Sequence, residues 1–170
     1  MVASELVLGA IALGFLQARR YAISSLFPAP TLQGCAVGIG LFFATWVVGW
    51  LLTAPFVGRL PEQPIDRMVH DANLSLPVIV LMAMVNGTYE EIFLLGFLLR
   101  GLRGFGLSVA LGVMLLVRVL YHLYQGPVGA LWVLAFGLVL GLYFIRSGRL
   151  WPAIFAHMLG DIVPFVFRDP

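Results

Sequence analysis

The fold is decided by residues 76–99, which read LPVIVLMAMVNGTYEEIFLLGFLL. This stretch contains no basic residue and only two acidic ones, the adjacent Glu90 and Glu91. About 20 predominantly apolar residues are enough to cross the hydrocarbon core of a bilayer as a helix. A helix pairs its own backbone N–H and C=O groups, which lipid cannot do. The stretch therefore predicts a membrane-spanning helix that carries two carboxylates into the bilayer.

Further apolar runs flank this stretch and are separated by arginine, proline and glycine residues; they cover residues 2–18, 34–57, 107–124, 128–145 and 150–167. The first run lacks a basic segment before it, so we expect a retained helix rather than a signal peptide. Only 11% of the 170 residues are charged and 61% are hydrophobic, whereas roughly a quarter of a soluble domain is charged. We predict an all-α fold, a polytopic transmembrane bundle of about six helices. It forms one membrane-embedded domain over residues 1–170, with a motif-bearing core at about 76–167.

The basic residues support a membrane location and argue against nucleic-acid binding. All ten are arginines, and they lie between the apolar runs instead of forming one patch. One set of alternate connections holds six of them: Arg19, Arg20, Arg100, Arg103, Arg146 and Arg149. Arginine-rich connections favour the cytoplasmic side, so both termini are expected on the opposite side. The absence of lysine suggests a GC-rich bacterial genome, and we expect a multi-pass protein of the bacterial cytoplasmic membrane.

Ionisable side chains inside the apolar runs are the unusual feature of the sequence: Glu90, Glu91, Arg118, His122, His157 and Asp161. One charge at the centre of a membrane helix costs about 2.5–3.5 kcal/mol even on a lenient scale. Four isolated charges would cost on the order of 10 kcal/mol, and a whole domain is stable by only about 5–15 kcal/mol. These groups must therefore pair, become neutral or face a water-filled cavity. A functional site is the leading hypothesis, and a purely structural polar network is the alternative.

Helical spacing predicts which of these side chains share a face. His157 and Asp161 are four residues apart, as are Arg118 and His122, so each pair lies on one face of its helix. Glu90 and its neighbour Glu91 point about 100° apart, so one glutamate is expected to line a cavity while the other meets a different helix. The polar connection at residues 59–75 is expected to be a solvated surface loop, and its His70 a plain surface histidine.

Several chemistries fit these residue types. A carboxylate beside an imidazole can hold a water and remove its proton, and a second imidazole can stabilise the oxyanion that forms on an attacked carbonyl. Two histidines and a carboxylate could instead bind zinc, although the chain has no H-E-x-x-H run. A serine hydrolase is not indicated, because G-x-S-x-G is absent. A proton-coupled transporter is a further alternative, but no inverted repeat supports it.

The order of these residues resembles the CPBP family, the CAAX proteases and bacteriocin-processing enzymes. The family pattern is E-E-x-x-x-R, then F-x-x-x-H, then H-x-x-x-N or H-x-x-x-D on successive membrane helices. Residues 90–96 read EEIFLLG, residues 118–122 read RVLYH and residues 157–161 read HMLGD. The segment IRSGRLWP at residues 145–152 also looks like the one that precedes the last motif. The resemblance covers roughly residues 77–163.

The resemblance implies an intramembrane endopeptidase of the glutamate type, which cleaves a membrane-proximal peptide bond without a cofactor or catalytic metal. It implies that Glu90 and His122 activate the water, and that His157 with Asp161 forms the oxyanion site. The implied partners are the lipid bilayer and a peptide or membrane-protein substrate. Some relatives are non-proteolytic regulators or partners of membrane proteins, so a catalytically inactive protein of the same fold is the alternative.

The chain departs from the family pattern at the arginine, the phenylalanine and the final asparagine. Leu95 stands where the family has arginine, and Arg118 stands where it has phenylalanine. We infer that Arg118 supplies from another helix the charge lost at position 95, with Glu91 as its structural partner. Asp161 replaces the commoner asparagine; it is expected to accept a proton from His157 and orient that ring.

Overall fold

The computed structural model describes residues 2–56, 59, 63–72 and 74–167. Over these residues the chain is helical and contains no strand. Its α-helices, in chain order, are α1 (Val2–Ala18), α2 (Leu32–Thr53), α3 (Pro64–Asp71), α4 (Leu76–Glu91), α5 (Leu107–Tyr121), α6 (Gly126–Ser147) and α7 (Trp151–Val166). The prediction of an all-α helical bundle is therefore confirmed.

Three helical segments in the described part of the chain are long and apolar enough to cross a membrane: Leu32–Phe56, Leu76–Leu99 and Leu123–Ser147. The shorter apolar helices are Leu6–Ala18, Leu107–Tyr121 and Trp151–Val166. Together they correspond to the six apolar runs of the sequence. The apolar side chains on their outer faces are widely exposed, including Leu32, Phe43, Trp50 and Leu81. A bilayer is the solvent that such surfaces require.

Several helix boundaries differ from the predicted runs by a few residues, and two of the differences have clear local reasons. The second helix begins at Leu32, before the predicted residue 34, because the Thr31 side chain caps it by accepting a hydrogen bond from Gly34 N at 3.0 Å. The fourth apolar helix ends at Tyr121 and not at 124. His122 follows as its C-terminal cap, and Gly126, at φ +88°, turns the chain into the next helix.

The connection predicted as a solvated loop at residues 59–75 is only partly one, because it contains helix α3. Gln63 and Asp66 form a capping box at its start, and Pro64 occupies the first turn, where its missing N–H is not needed. Gln63 is buried and accepts a hydrogen bond from Val128 N at 3.3 Å, which ties α3 to the start of α6. His70 is exposed and pairs with Asp71, so its prediction as a surface histidine is confirmed.

Helix α7 lies against both α2 and α4, and α6 lies against both α2 and α5. Glycines permit these close approaches. A side chain at Gly38 would meet Pro152 O at 2.9 Å, and one at Gly87 would meet Met158 N at 3.2 Å. The backbone of α7 is therefore held directly between those of α2 and α4. This arrangement fixes the depth of the polar residues that α4 and α7 carry.

The helix α4 changes its geometry immediately after the two glutamates. Residues Ile92–Leu99 continue it as a wider π-helical segment, which buries Leu94, Leu95 and Leu99. Segments of this kind occur frequently at functional sites. Glu90 and Glu91 are thus the last residues of the regular α-helix, and the chain continues to Leu99 as one helical span.

Candidate active site

Glu90 lies between two imidazole rings. Its Oε1 is 3.8 Å from His122 Nε2, and its Oε2 is 4.0 Å from His157 Nε2. Glu90 comes from the last turn of α4, His122 from the end of α5, and His157 from the middle of α7. The structure thus brings together the three side chains that the resemblance implies for water activation and oxyanion binding. Because α5 ends at Tyr121, His122 leaves the helix at the depth of Glu90.

Glu91 is turned away from the same space and is fully enclosed, with none of its surface exposed. Its Oε1 accepts hydrogen bonds from Arg118 Nη2 and from His157 Nδ1, each at 2.6 Å. Arg118 is equally enclosed, and Gly137 makes room for its aliphatic stem, since a side chain there would meet Arg118 Cδ at 2.8 Å. Arg118 also lies over the ring of Phe136, 5.6 Å from its centroid. The two glutamates therefore have different environments, as their 100° separation predicts.

The prediction that Asp161 accepts a hydrogen bond from His157 is wrong. Their closest atoms, His157 Nε2 and Asp161 Oδ1, are 3.7 Å apart, too far for a hydrogen bond. Asp161 instead accepts a hydrogen bond from Asn86 Nδ2 at 2.9 Å, across the close contact of α4 with α7. The contact that orients His157 is made by Glu91, which satisfies Nδ1 and leaves Nε2 facing Glu90 and Asp161.

The ring of His122 is held by its own helix. His122 Nδ1 lies 2.8 Å from the carbonyl oxygen of Arg118, one turn earlier. A carbonyl only accepts hydrogen bonds, so Nδ1 carries the proton, and in the neutral ring Nε2 is left as an acceptor. This acceptor is the atom that faces Glu90 Oε1.

Two polar contacts of the site involve residues that the sequence reasoning left outside it. Tyr121 donates its hydroxyl proton to Glu90 Oε2 at 2.6 Å, and Asn86 donates to Asp161. Both carried a signal in the sequence. Asn86 is a polar residue in an apolar run one turn before Glu90, and Tyr121 directly precedes His122. Neither is charged, so the cost argument that selected the other residues did not select them.

The site lines a cavity of about 1120 Å³ that lies at the α3 end of the bundle. Its walls are mainly apolar, with Phe42, Trp46 and Trp132 among them, and α3 contributes Ile65 and Val69. The polar groups on its surface include Asn86, Glu90, Tyr121, His122, His157 and Asp161, whereas Glu91 lies behind them. Among the described residues, no group of three His, Cys, Asp or Glu side chains is arranged to hold a metal ion.

A bundle of membrane helices with a carboxylate and two imidazoles around an internal cavity defines a membrane-embedded protein with an acid–base site. Residues 72–163 match the type II CAAX prenyl endopeptidase Rce1-like family. This match covers more than half of the chain and includes all three motif segments, so the chain belongs to that family of CAAX-protease-type intramembrane peptidases. The resemblance stated from the motifs is thereby confirmed. No curated protein and no solved structure matches the chain.

Proposed function

We propose that this protein is an intramembrane endopeptidase that hydrolyses a membrane-proximal peptide bond with water activated by Glu90 and His122. One observation carries the proposal: Glu90 presents one oxygen to each of two imidazoles on the wall of an apolar cavity. Family membership supports a peptidase in general. The choice of Glu90 and His122 rests on this geometry.

How water is activated follows from which oxygen and nitrogen atoms of Glu90 and His122 are already hydrogen-bonded to the protein. Tyr121 occupies Glu90 Oε2, and the Arg118 carbonyl occupies His122 Nδ1. Glu90 Oε1 and His122 Nε2 are two acceptors 3.8 Å apart, so a water between them donates one proton to each. Its oxygen is then free to attack a peptide carbonyl carbon, with one proton passing to the carboxylate or imidazole. The C–N bond breaks when the leaving amine takes up that proton.

His157 is placed to stabilise the oxyanion that forms on the attacked carbonyl. Its Nδ1–H is donated to Glu91, so the ring is fixed and Nε2 is directed toward the cavity. Because Nδ1 already carries a proton, Nε2 donates to the negative oxygen only when the ring is the doubly protonated imidazolium, a form that the neighbouring carboxylates of Glu90, Glu91 and Asp161 stabilise. Asp161 stands beside it, where asparagine is the commoner residue of the family pattern, and Asn86 supplies an amide next to Asp161. We infer that the amide function of the last motif is carried in this chain by Asn86.

The ion pair of Glu91 with Arg118 serves as the support for His157. A buried carboxylate without a cation would be costly, and Arg118 provides that cation from α5 in place of the arginine missing at position 95. This ion pair weakens the main argument for a non-catalytic regulator, which is that Leu95 stands where the family has arginine. The regulator remains the alternative that the assay must exclude.

The proposed chemistry requires no cofactor and no metal, since the protein groups themselves accept the proton of water. The expected partners are the bilayer and a peptide or membrane-protein substrate. The chain contains arginine but no lysine, which suggests a GC-rich bacterial genome and so favours the bacterial cytoplasmic membrane as the location.

The test is cleavage of quenched membrane-proximal peptides by the purified protein in liposomes. Glu90→Gln and His122→Gln are expected to lower kcat/KM by roughly 100-fold or more each. The matched control is Asp71→Asn with His70→Gln, an exposed carboxylate–imidazole pair at 3.1 Å in α3, which should keep full activity. Activity should also survive strong chelation, whereas a zinc enzyme would lose it. If the wild-type protein is folded but cleaves none of the quenched peptides, the result would favour a non-catalytic regulator.

A further inference from the structure

A second cavity lies at the opposite end of the bundle from the candidate active site. Its volume is about 230 Å³. The residues around it are Ser25, Pro28, Ala29, Thr31, Arg100, Gly148, Arg149, Leu150, Trp151 and Pro152. They come from the segment before α2, the end of the Leu76–Leu99 span and the turn between α6 and α7. The cavity therefore sits where four helical segments begin or end: α2, the Leu76–Leu99 span, α6 and α7.

The charge at this end of the molecule is entirely positive. The connections at residues 19–31, 100–106 and 146–150 contain six arginines and no acidic residue. Two of these arginines, Arg100 and Arg149, line the cavity. The neutral lining residues offer no carboxylate to balance them. An anion is the ligand that this imbalance favours.

The donors around the cavity are held in place and only partly used. Arg100 Nη1 donates to Ser25 O at 3.1 Å, and its guanidinium lies 5.5 Å from the centroid of the Phe144 ring. A guanidinium has five N–H donors, so most of those on Arg100 are left for a ligand. The indole Nε1–H of Trp151 is buried and has no hydrogen-bond partner within the described part of the chain. This atom packs against Gly34 of α2, where an added Cβ would lie 3.2 Å from it, so the donors available to a ligand in the cavity are those of the two arginines.

We propose that this cavity binds a phosphate group, and that in the membrane this group is the phosphodiester of an anionic lipid headgroup. Arginine forks match phosphate oxygens, and basic pockets between membrane helices commonly accept anionic headgroups. The first turn of α7 begins at the cavity with Trp151, so the positive end of the helix dipole adds to the attraction. Trp151 is also a residue type enriched at the membrane interface. This inference does not depend on the peptidase activity.

Binding is tested by thermal unfolding of the detergent-purified full chain with added phosphatidylglycerol, phosphatidylcholine or inorganic phosphate. Saturating phosphatidylglycerol should raise the Tm of the wild-type protein by roughly 5 °C or more. Arg100→Gln with Arg149→Gln should abolish this rise. Arg149→Gln alone should reduce the apparent affinity, and each shift is measured from the variant's own lipid-free Tm.

The matched control is Arg19→Gln with Arg146→Gln, which removes the same charge from exposed positions at the same end but outside the cavity. This variant should keep the full lipid-induced rise. Equal losses in the two double variants, or no rise in the wild-type protein, would overturn the proposal. If inorganic phosphate competes with the lipid, the site accepts a free phosphate as well; if it does not, the lipid is the source.

Discussion

Glu91 and Arg118 form an ion pair that water does not reach. Each has at most 1% of its surface exposed, and Glu91 Oε2 and Arg118 Nε have no hydrogen-bond partner among the described residues. Removing one partner of a buried pair leaves an uncompensated charge, which costs far more than the pair itself contributes. The pair also carries His157 on the same oxygen. Its integrity therefore controls both the stability and the position of the proposed oxyanion group.

Arg118→Leu should destabilise the protein by about 3–5 kcal/mol, because Glu91 is then buried without a cation. Thermal unfolding in detergent measures the loss. Arg118→Phe with Leu95→Arg should recover much of this stability and the peptidase activity. An arginine at position 95, four residues after Glu91, restores the family motif and gives Glu91 a cation again. If the double variant is no more stable than Arg118→Phe alone, the proposed exchange of charge between the two positions is wrong.

Tyr121→Phe should lower kcat/KM while leaving the fold unchanged. The hydroxyl donates to Glu90 Oε2 and holds the carboxylate in position, and a misplaced catalytic group is expected to cost roughly tenfold or more in kcat/KM. Peptide cleavage and thermal unfolding, measured on the same sample, separate the two effects. Tyr143→Phe, on α6 and outside the cavity, is the control and should be as active as the wild-type protein. A Tyr121→Phe enzyme of normal activity would remove Tyr121 from the site.

At the scale of helices, the site depends on contacts between elements that spacing alone does not specify. Spacing predicts which side chains share a face, and this was sufficient to separate the environments of Glu90 and Glu91. It does not give the rotation or depth of neighbouring helices, which are set by packing across the bundle. Asp161 therefore bonds to Asn86 on α4 and not to His157 on its own helix. The membrane runs were predictable because lipid imposes length and apolarity on them.

The helix α3 and the π-helical segment were harder to predict from the sequence than the membrane helices. The start of α3 has a readable signal in Gln63-Pro64-Ile65-Asp66, but its eight residues are few for an independent helix. It forms because Gln63 and the side chains facing the cavity are covered by the bundle. The π-helical geometry after Glu91 has no signal in residues 92–99, which are all apolar or glycine.

Gly87→Val should destabilise the bundle where α4 crosses α7. A Cβ at this position would lie 3.2 Å from Met158 N and 3.4 Å from His157 Cβ. The nearer of these atoms belongs to backbone, which cannot turn aside, so a loss of about 2 kcal/mol is expected. Gly112→Val is the matched control, because nothing lies within 4 Å of a Cβ there. The difference between the two Tm values isolates the contact from helix propensity, and equal values would mean that the helices are not in close contact.

At the scale of the whole molecule, the two ends of the bundle differ in their charge and in the cavity that each contains. One end has six arginines without an acidic residue and the small cavity lined by Arg100 and Arg149. The other end has α3 and the large cavity with Glu90 on its wall. Because arginine-rich connections are retained on the cytoplasmic side, this asymmetry predicts that the large cavity lies nearer the opposite face. Substrates would then be cleaved toward that face of the membrane.

This orientation is tested by cysteine labelling in intact cells. Cys35 is the only cysteine of the chain, so Cys35→Ser gives an unlabelled background and serves as the control. In that background, His70→Cys reports the α3 end and Ser147→Cys the arginine-rich end, both at exposed positions. A membrane-impermeant maleimide should label the first in intact cells and the second only after permeabilisation. The reverse pattern would place the cavity toward the cytoplasm. The other set of connections holds three arginines, Arg59, Arg67 and Arg168, and the excess of six over three would then be too small to determine insertion.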